Sequence, residues 1–161
     1  MSQAREDFIK KYKQDVIDAS CSYGIFPSVT MAQMIIESGD SNGVAGNGIT
    51  FVKANNAFGI KKGVGWTGQT MVFNTPKDGK PVSEFRVYPT IKDSIIDHSK
   101  FLSVNSRYKN AGVFTAKTPE EQIRAIAKAG YSESPTYADA IIAMINGYKL
   151  KDLDSGCQKK K

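Results

Sequence analysis

The stretch 30–39, Thr-Met-Ala-Gln-Met-Ile-Ile-Glu-Ser-Gly, narrows most sharply what this chain can become. Met31, Met34 and Ile35 recur at helical spacing, and Val29, Ala32 and Ile36 fill the flank beside them, which predicts a helix covered on most of its circumference. One stripe stays polar: Thr30, Gln33 and Glu37 fall at i, i+3 and i+7, and Gly39 closes the helix just beyond. A carboxyl among apolar neighbours loses hydration, its pKa rises, and it can keep a proton at neutral pH for a leaving group. The plainer alternative is a solvated glutamate on a polar stripe, and spacing alone leaves both open.

The remaining elements follow from period and punctuation. Phe8, Tyr12, Val16, Ala19 and Tyr23 predict an amphipathic helix over 6–23, closed by Gly24, after which Pro27 turns the chain and Ser28 serves as N-cap of the helix ending in Glu37. Residues 40–65 carry Asn42-Gly43, Asn47-Gly48 and Asn55-Asn56 and read as loop with a short element around 58–61. Apolar runs at 66–73 and 81–88, split by Thr75-Pro76-Lys77-Asp78-Gly79, predict a β-hairpin. Ile91, Ile95, His98, Phe101 and Leu102 share one face of a helix over 91–104, where a lone histidine is expected to be packed and hydrogen-bonded. Thr118-Pro119-Glu120-Glu121 is a capping box whose helix buries Ile123, Ile126 and Ala127 and ends at Gly130. Ser134-Pro135 opens the last helix, with Ala138, Ile141, Ile142, Ile145 and Tyr148 inward, and the polar residues 151–161 are expected to fray as a basic tail. About five helices and one hairpin in a single domain over 1–150 give an α+β class.

Five strings carry a family likeness. Ile25-x-Pro27-Ser28-x-x-x-Ala32-Gln33-x-x-x-Glu37-Ser38-Gly39 is followed by Asn56-x-Phe58-Gly59-Ile60-Lys61 and Phe85-Arg86-x-Tyr88. Then come Ser94-x-x-Asp97-His98-x-x-Phe101-Leu102 and Gly130-Tyr131-x-x-x-Pro135-x-Tyr137-Ala138. In order and spacing the chain resembles the bacterial and phage glucosaminidases that hydrolyse peptidoglycan, over nearly its whole length. The resemblance implies a lysozyme-like fold, with a helical body and a hairpin lobe flanking a groove long enough for several sugars. It implies cleavage of the β-1,4 bond after N-acetylglucosamine, with Glu37 as proton donor and Tyr131 near the scissile bond. It also places Gln33, Asn56, Phe58, Lys61 and Tyr137 along the substrate. From their local sequence alone, Asn56 and Phe58 read equally as a turn and a core aromatic, and Tyr131 as a packed edge aromatic.

The sequence departs from the family in its hairpin, where a second acid is expected. Asp78 at the turn and Glu84 near the end of the second strand are available, with Asp40 further off, and the acetamido oxygen of the substrate could take the same role. Two further readings fit the scaffold: a muramidase or lytic transglycosylase cutting after N-acetylmuramic acid, and a glycan-binding or phage structural module without catalysis.

Charge bears on the partner. A net charge of +6 and a pI near 9.2 favour an anionic one, and with no interleaved basic and aromatic motif for nucleic acid, a cell wall carrying acidic polymers is expected. Cys21, Cys157 and His98 lack metal-ligand spacing, so no metal or cofactor is expected, and whether the two cysteines bridge depends on geometry. No apolar run suits a signal peptide or a membrane span. The expectation is therefore a monomer without membrane insertion, delivered to the wall by a phage or holin, a secretion apparatus or a longer precursor.

Overall fold

The computed structural model describes residues 2–73 and 82–160. Helix α1 (Gln3–Ser22) is capped by Ser2, whose Oγ accepts the Arg5 N–H at 3.3 Å, and turns Phe8, Val16 and Ala19 inward. Helix α2 (Pro27–Glu37) is buried at every position from Pro27 to Ile35. Around it pack α1, α6 (Pro119–Lys128), α7 (Tyr137–Gly147) and a C-terminal 3₁₀ helix (Leu150–Lys160).

A helix enclosed on all sides must find partners inside the protein for its unpaired terminal groups. Ser28 was expected to cap α2, but Phe26 holds that position and Ser28 lies inside the first turn. The cap comes from the other end of the chain. The Ser28 N–H and hydroxyl donate to the two carboxylate oxygens of Asp154 at 2.8 and 2.7 Å, and the Phe26 N–H donates to Gln122 Oε1 at 2.8 Å. Residues 151–161, read as a frayed tail, therefore start with a docked segment. Leu150 and Leu153 are buried, and Cys157 is joined to Cys21 by a disulfide with Cα atoms 5.3 Å apart. Two leucines are too few to show a period, and the attachments that hold the segment are polar and covalent.

At the other end of α2 the 40–48 loop folds back. The Ser38 carbonyl accepts the N–H groups of Gly46 and Gly48 at 3.1 and 2.8 Å. A side chain at Gly48 would sit 2.8 Å from the Gly39 carbonyl oxygen, so this close approach requires glycine. Asp40 Oδ1 accepts the N–H groups of Asn42 and Val44 at 2.9 and 3.0 Å, and this holds its pKa below the usual carboxylate range.

Helix α3 (Ile49–Ala54) follows, earlier in the chain than the element expected around 58–61. Among the described residues the hairpin is far shorter than its runs suggest. Strand β1 (Thr70–Met71) pairs antiparallel with β2 (Phe85–Arg86), Thr70 opposite Arg86 and Met71 opposite Phe85. Met71 and Val72 are exposed, so the first run lacks the buried face that would sustain a longer ladder. The other edge of β2 meets residues 60–62, with the Arg86 N–H donating to the Ile60 carbonyl at 3.1 Å. The expected turn at Asp78-Gly79 lies outside the described residues.

Helix α4 (Ile91–Val104) has the predicted bounds and is capped by Thr90. It leads through the five-residue α5 (Ser106–Asn110) and a short 3₁₀ turn (Val113–Thr115) to α6, capped by Thr118 as its box predicts. Helix α7 begins at Tyr137, after rather than at Ser134-Pro135.

One cluster fastens the hairpin lobe to α4. The Arg86 guanidinium donates to Asp97 Oδ2 at 2.9 Å and to the carbonyls of Lys61 and Lys62 at 3.0 and 3.1 Å. The Tyr88 hydroxyl donates to the same Asp97 oxygen at 2.5 Å.

The disulfide closes a loop between positions 136 residues apart. Removing it with a reductant, or by Cys157→Ser, should lower stability by about 2–5 kcal/mol on the chain-entropy scale. The check is the midpoint of urea unfolding; an unchanged midpoint would show that Asp154 and Leu153 hold the segment without the crosslink.

Candidate active site

Where α2 ends, a cleft of about 630 Å³ opens between the two lobes. Glu37 projects into it from the last turn of the buried helix. One wall is the 58–64 segment and Arg86, and the other is built from α4, α5 and the turn holding Tyr131.

Burial removes water from the Glu37 carboxyl and pushes its pKa up from 4.5 to about 7, partly offset by a hydrogen bond from the Tyr137 hydroxyl. Tyr137 also accepts the Gln33 amide N–H at 3.0 Å. Gln33, Tyr137 and Glu37 thus form a hydrogen-bonded row along the polar stripe of α2. Behind the carboxyl lies an aromatic bed. Tyr131 stacks on Tyr137 at 5.7 Å and meets His98 edge-on at 6.1 Å, while His98 stacks on Phe58 at 3.9 Å. The hydroxyls of Tyr131 and Tyr137 are driven to high pKa, first by burial and then by neighbouring charges including Glu37, so both remain protonated donors.

The expected residues divide into two groups. Glu37, Tyr131, Phe58 and Lys61 line the cleft. Gln33 and Asn56 are fully buried behind it, and Tyr137 nearly so. Asn56 is a clamp: its Nδ2 donates to the carbonyls of Ile60 and Arg86, both at 2.9 Å, and its Oδ1 accepts the Ile60 N–H at 3.0 Å. It shapes the cleft wall from inside, so it and Gln33 are not surfaces for a sugar. Glu84 is engaged away from the cleft, accepting the Thr70 hydroxyl at 3.0 Å and pairing with Lys62 at 3.7 Å. Asp78 lies outside the described residues, and Asp40 is committed to its own loop.

His98 is packed as expected but lacks the expected hydrogen bond. Among the described residues neither ring nitrogen has a partner, and burial lowers its pKa from 6.5 to about 3, so the ring is neutral and serves as an aromatic spacer. Sequence reasoning missed Arg107, Tyr108 and Glu133, which also line the cleft. Arg107 and Glu133 stand in polar stretches with no period to single them out.

A carboxyl that holds a proton near neutral pH, beside protonated tyrosines in a groove, can donate that proton to the oxygen of a breaking bond. Among the described residues no cluster of three or more His, Cys, Asp or Glu is placed to hold a metal ion, and no helix is long and apolar enough to cross a membrane.

Glu37 and His98 pull stability in opposite directions. Glu37 binds its proton more tightly when folded, so its contribution is complete below pH 4.5 and lost as pH rises to about 7. His98 is held neutral, so its contribution is complete above pH 6.5 and lost as pH falls towards 3. In Glu37→Gln the histidine slope remains and the glutamate slope vanishes. The variant should therefore gain on the wild type by about 2–3 kcal/mol from pH 4.5 to neutral. Urea midpoints across that range check this, and a constant gap would mean that Glu37 titrates as an ordinary carboxylate.

Comparison with known proteins gives this geometry a context. Residues 13–150 match the glucosaminidase family, described as mannosyl-glycoprotein endo-beta-N-acetylglucosaminidase. The peptidoglycan hydrolase FlgJ of Vibrio parahaemolyticus is 34% identical over 142 residues, 85% of this chain and 45% of that protein. The exo-glucosaminidase LytG of Bacillus subtilis is 33% identical over 138 residues, 82% of this chain and 47% of that protein. The catalytic domain of the autolysin Auto from Listeria monocytogenes superposes with a TM-score of 0.75 at 27% identity, over 96% of this chain and 89% of that one. The chain spans about half the length of the curated relatives it matches.

Proposed function

The chain belongs to the glucosaminidase family, and on that premise we propose that it is a peptidoglycan hydrolase acting at the cell wall, cleaving the β-1,4 bond after N-acetylglucosamine with Glu37 as general acid. The observation that carries this reading is the Glu37 carboxyl, raised by burial to about 7 at the mouth of a helix that opens into the cleft. Glu37 gives its proton to the glycosidic oxygen as the bond to the anomeric carbon breaks. The positive charge growing on that carbon needs a second group.

Glu84 is tied to Lys62 and Thr70, which favours the acetamido oxygen of the substrate in that role. That oxygen attacks the anomeric carbon, water then opens the ring so formed, and the water's proton returns to Glu37. The Tyr131 hydroxyl, lining the cleft and held protonated, orients the acetamido group or the water. Gln33 and Tyr137 act through Glu37 by fixing its rotamer, and Phe58 and Lys61 contact the strand.

Glu37→Gln should fold and lose about two to four orders of magnitude in kcat. Turbidity loss of purified walls measures this, and mass spectrometry of the released fragments should show N-acetylglucosamine at the new reducing ends. Lysis by Glu37→Gln within a few-fold of wild type would exclude the role. Tyr131→Phe should lower kcat with little change in KM, since a hydroxyl aligned on the reacting group acts in the transition state. Glu84→Gln and Glu133→Gln should each do far less than Glu37→Gln. A thousandfold loss of kcat in either would identify a protein base and end the substrate-assisted route.

A further inference from the structure

Building on the hydrolase reading, we propose that Arg107, aided by Lys61, forms a carboxylate-recognition point in the cleft that reads the anionic peptide stems carried by the glycan strand. N-acetylglucosamine is neutral, so it offers a cation in the cleft hydrogen-bond acceptors but no counter-charge. The anions on such a strand are the carboxylates of its lactyl-linked peptides. Among the described residues, three arginine and lysine side chains line the cleft: Lys61, Arg86 and Arg107. The charge of Arg86 is answered by Asp97 at 2.9 Å. Lys61 and Arg107 have no carboxylate within ion-pair distance among the described residues.

Arg107 is exposed yet held in place. Its Nη2 donates to the Tyr108 hydroxyl at 2.8 Å, and its guanidinium lies 4.8 Å from the centre of the Tyr108 ring. Tyr108 itself is fully buried, so the support is rigid. The guanidinium also passes close to Gly130, where a side-chain carbon would lie 3.8 Å from Nη1, and Gly130 precedes Tyr131. The fork is therefore fixed beside the tyrosine of the cleft, with its remaining N–H groups free to meet a carboxylate in pairs. The carboxyl groups among the described residues that line the same cleft are Glu133, which has no partner among those residues, and Glu37, which keeps its proton up to about pH 7. A stem carboxylate thus meets an arginine whose loss of motion on binding is already small.

The test compares kcat/KM on stem-bearing strands and on the same strands after carbodiimide-mediated amidation of their carboxylates. Amidation should lower the wild-type value about tenfold. Arg107→Gln should lose a similar factor on native strands and converge with the wild type on amidated ones. Lys61→Gln should lose a smaller factor than Arg107→Gln on native strands and a smaller factor again on amidated ones. Turnover of amidated strands by the variants confirms that they fold and that the hydrolase reading stands. Equal losses on both substrates, or none on either, overturn the recognition point while leaving the hydrolase intact. A wild type that degrades neither strand removes both.

Discussion

The enclosure of α2 is the constraint on which the rest of the structure depends. A helix with no solvent-facing side gains the full apolar transfer of Val29, Met31, Ala32, Met34 and Ile35, but it also carries unpaired donors and acceptors at both ends into the interior. Each such group left unpaired would cost about 1–3 kcal/mol, enough in sum to cancel much of the gain from burial. The chain answers from three distant places. Asp154 and Gln122 take the N–H groups at the start, and the 40–48 loop takes the Ser38 carbonyl at the end. The disulfide and the docked C-terminal helix are consequences of this need, because they hold Asp154 where α2 begins.

The chemistry of the site is a further consequence of the same enclosure. Glu37 is the last residue of the helix, so it keeps a buried surround on one side and meets the cleft on the other. Loss of water raises its pKa, and the hydrogen bond from Tyr137 moderates the rise. Gln33, on the same stripe, fixes the tyrosine in turn. The aromatic bed from Phe58 through His98 to Tyr131 excludes water and keeps the dielectric low around the carboxyl. His98 fits this role because burial keeps it neutral; a charged ring there would have no counter-ion among the described residues.

Among the described residues, the wall that carries Lys61 and Arg86 has too little sheet to hold itself. Two paired residues per strand cannot make an independent hairpin, and the lobe is instead fastened by Arg86, Asp97 and Tyr88. A pair this poorly hydrated repays its desolvation only when its other hydrogen-bonding positions are filled. Here the Lys61 and Lys62 carbonyls and the Tyr88 hydroxyl fill them, and the cluster sets where Lys61 stands in the cleft.

Period and punctuation determined much of this protein. The apolar spacing around Glu37, the Thr118 box and the face of α4 each lie within one element, so local order suffices to expose them, and the 91–104 bounds follow from the apolar stripe alone. The order of the five family strings carried the lysozyme-like fold. The tertiary structure alone decided what long-range partners do. Asp154 on Ser28, Cys157 on Cys21 and Arg86 on Asp97 join residues whose pairing leaves no periodic trace, because each contact is made by one polar or sulfur atom rather than by a stripe. For the same reason the sequence could place Gln33 and Asn56 near the cleft without showing that they face away from it, and could not show that Arg107 and Glu133 face in. Which side of a polar residue meets solvent is settled by the elements packed around it, and those come from elsewhere in the chain.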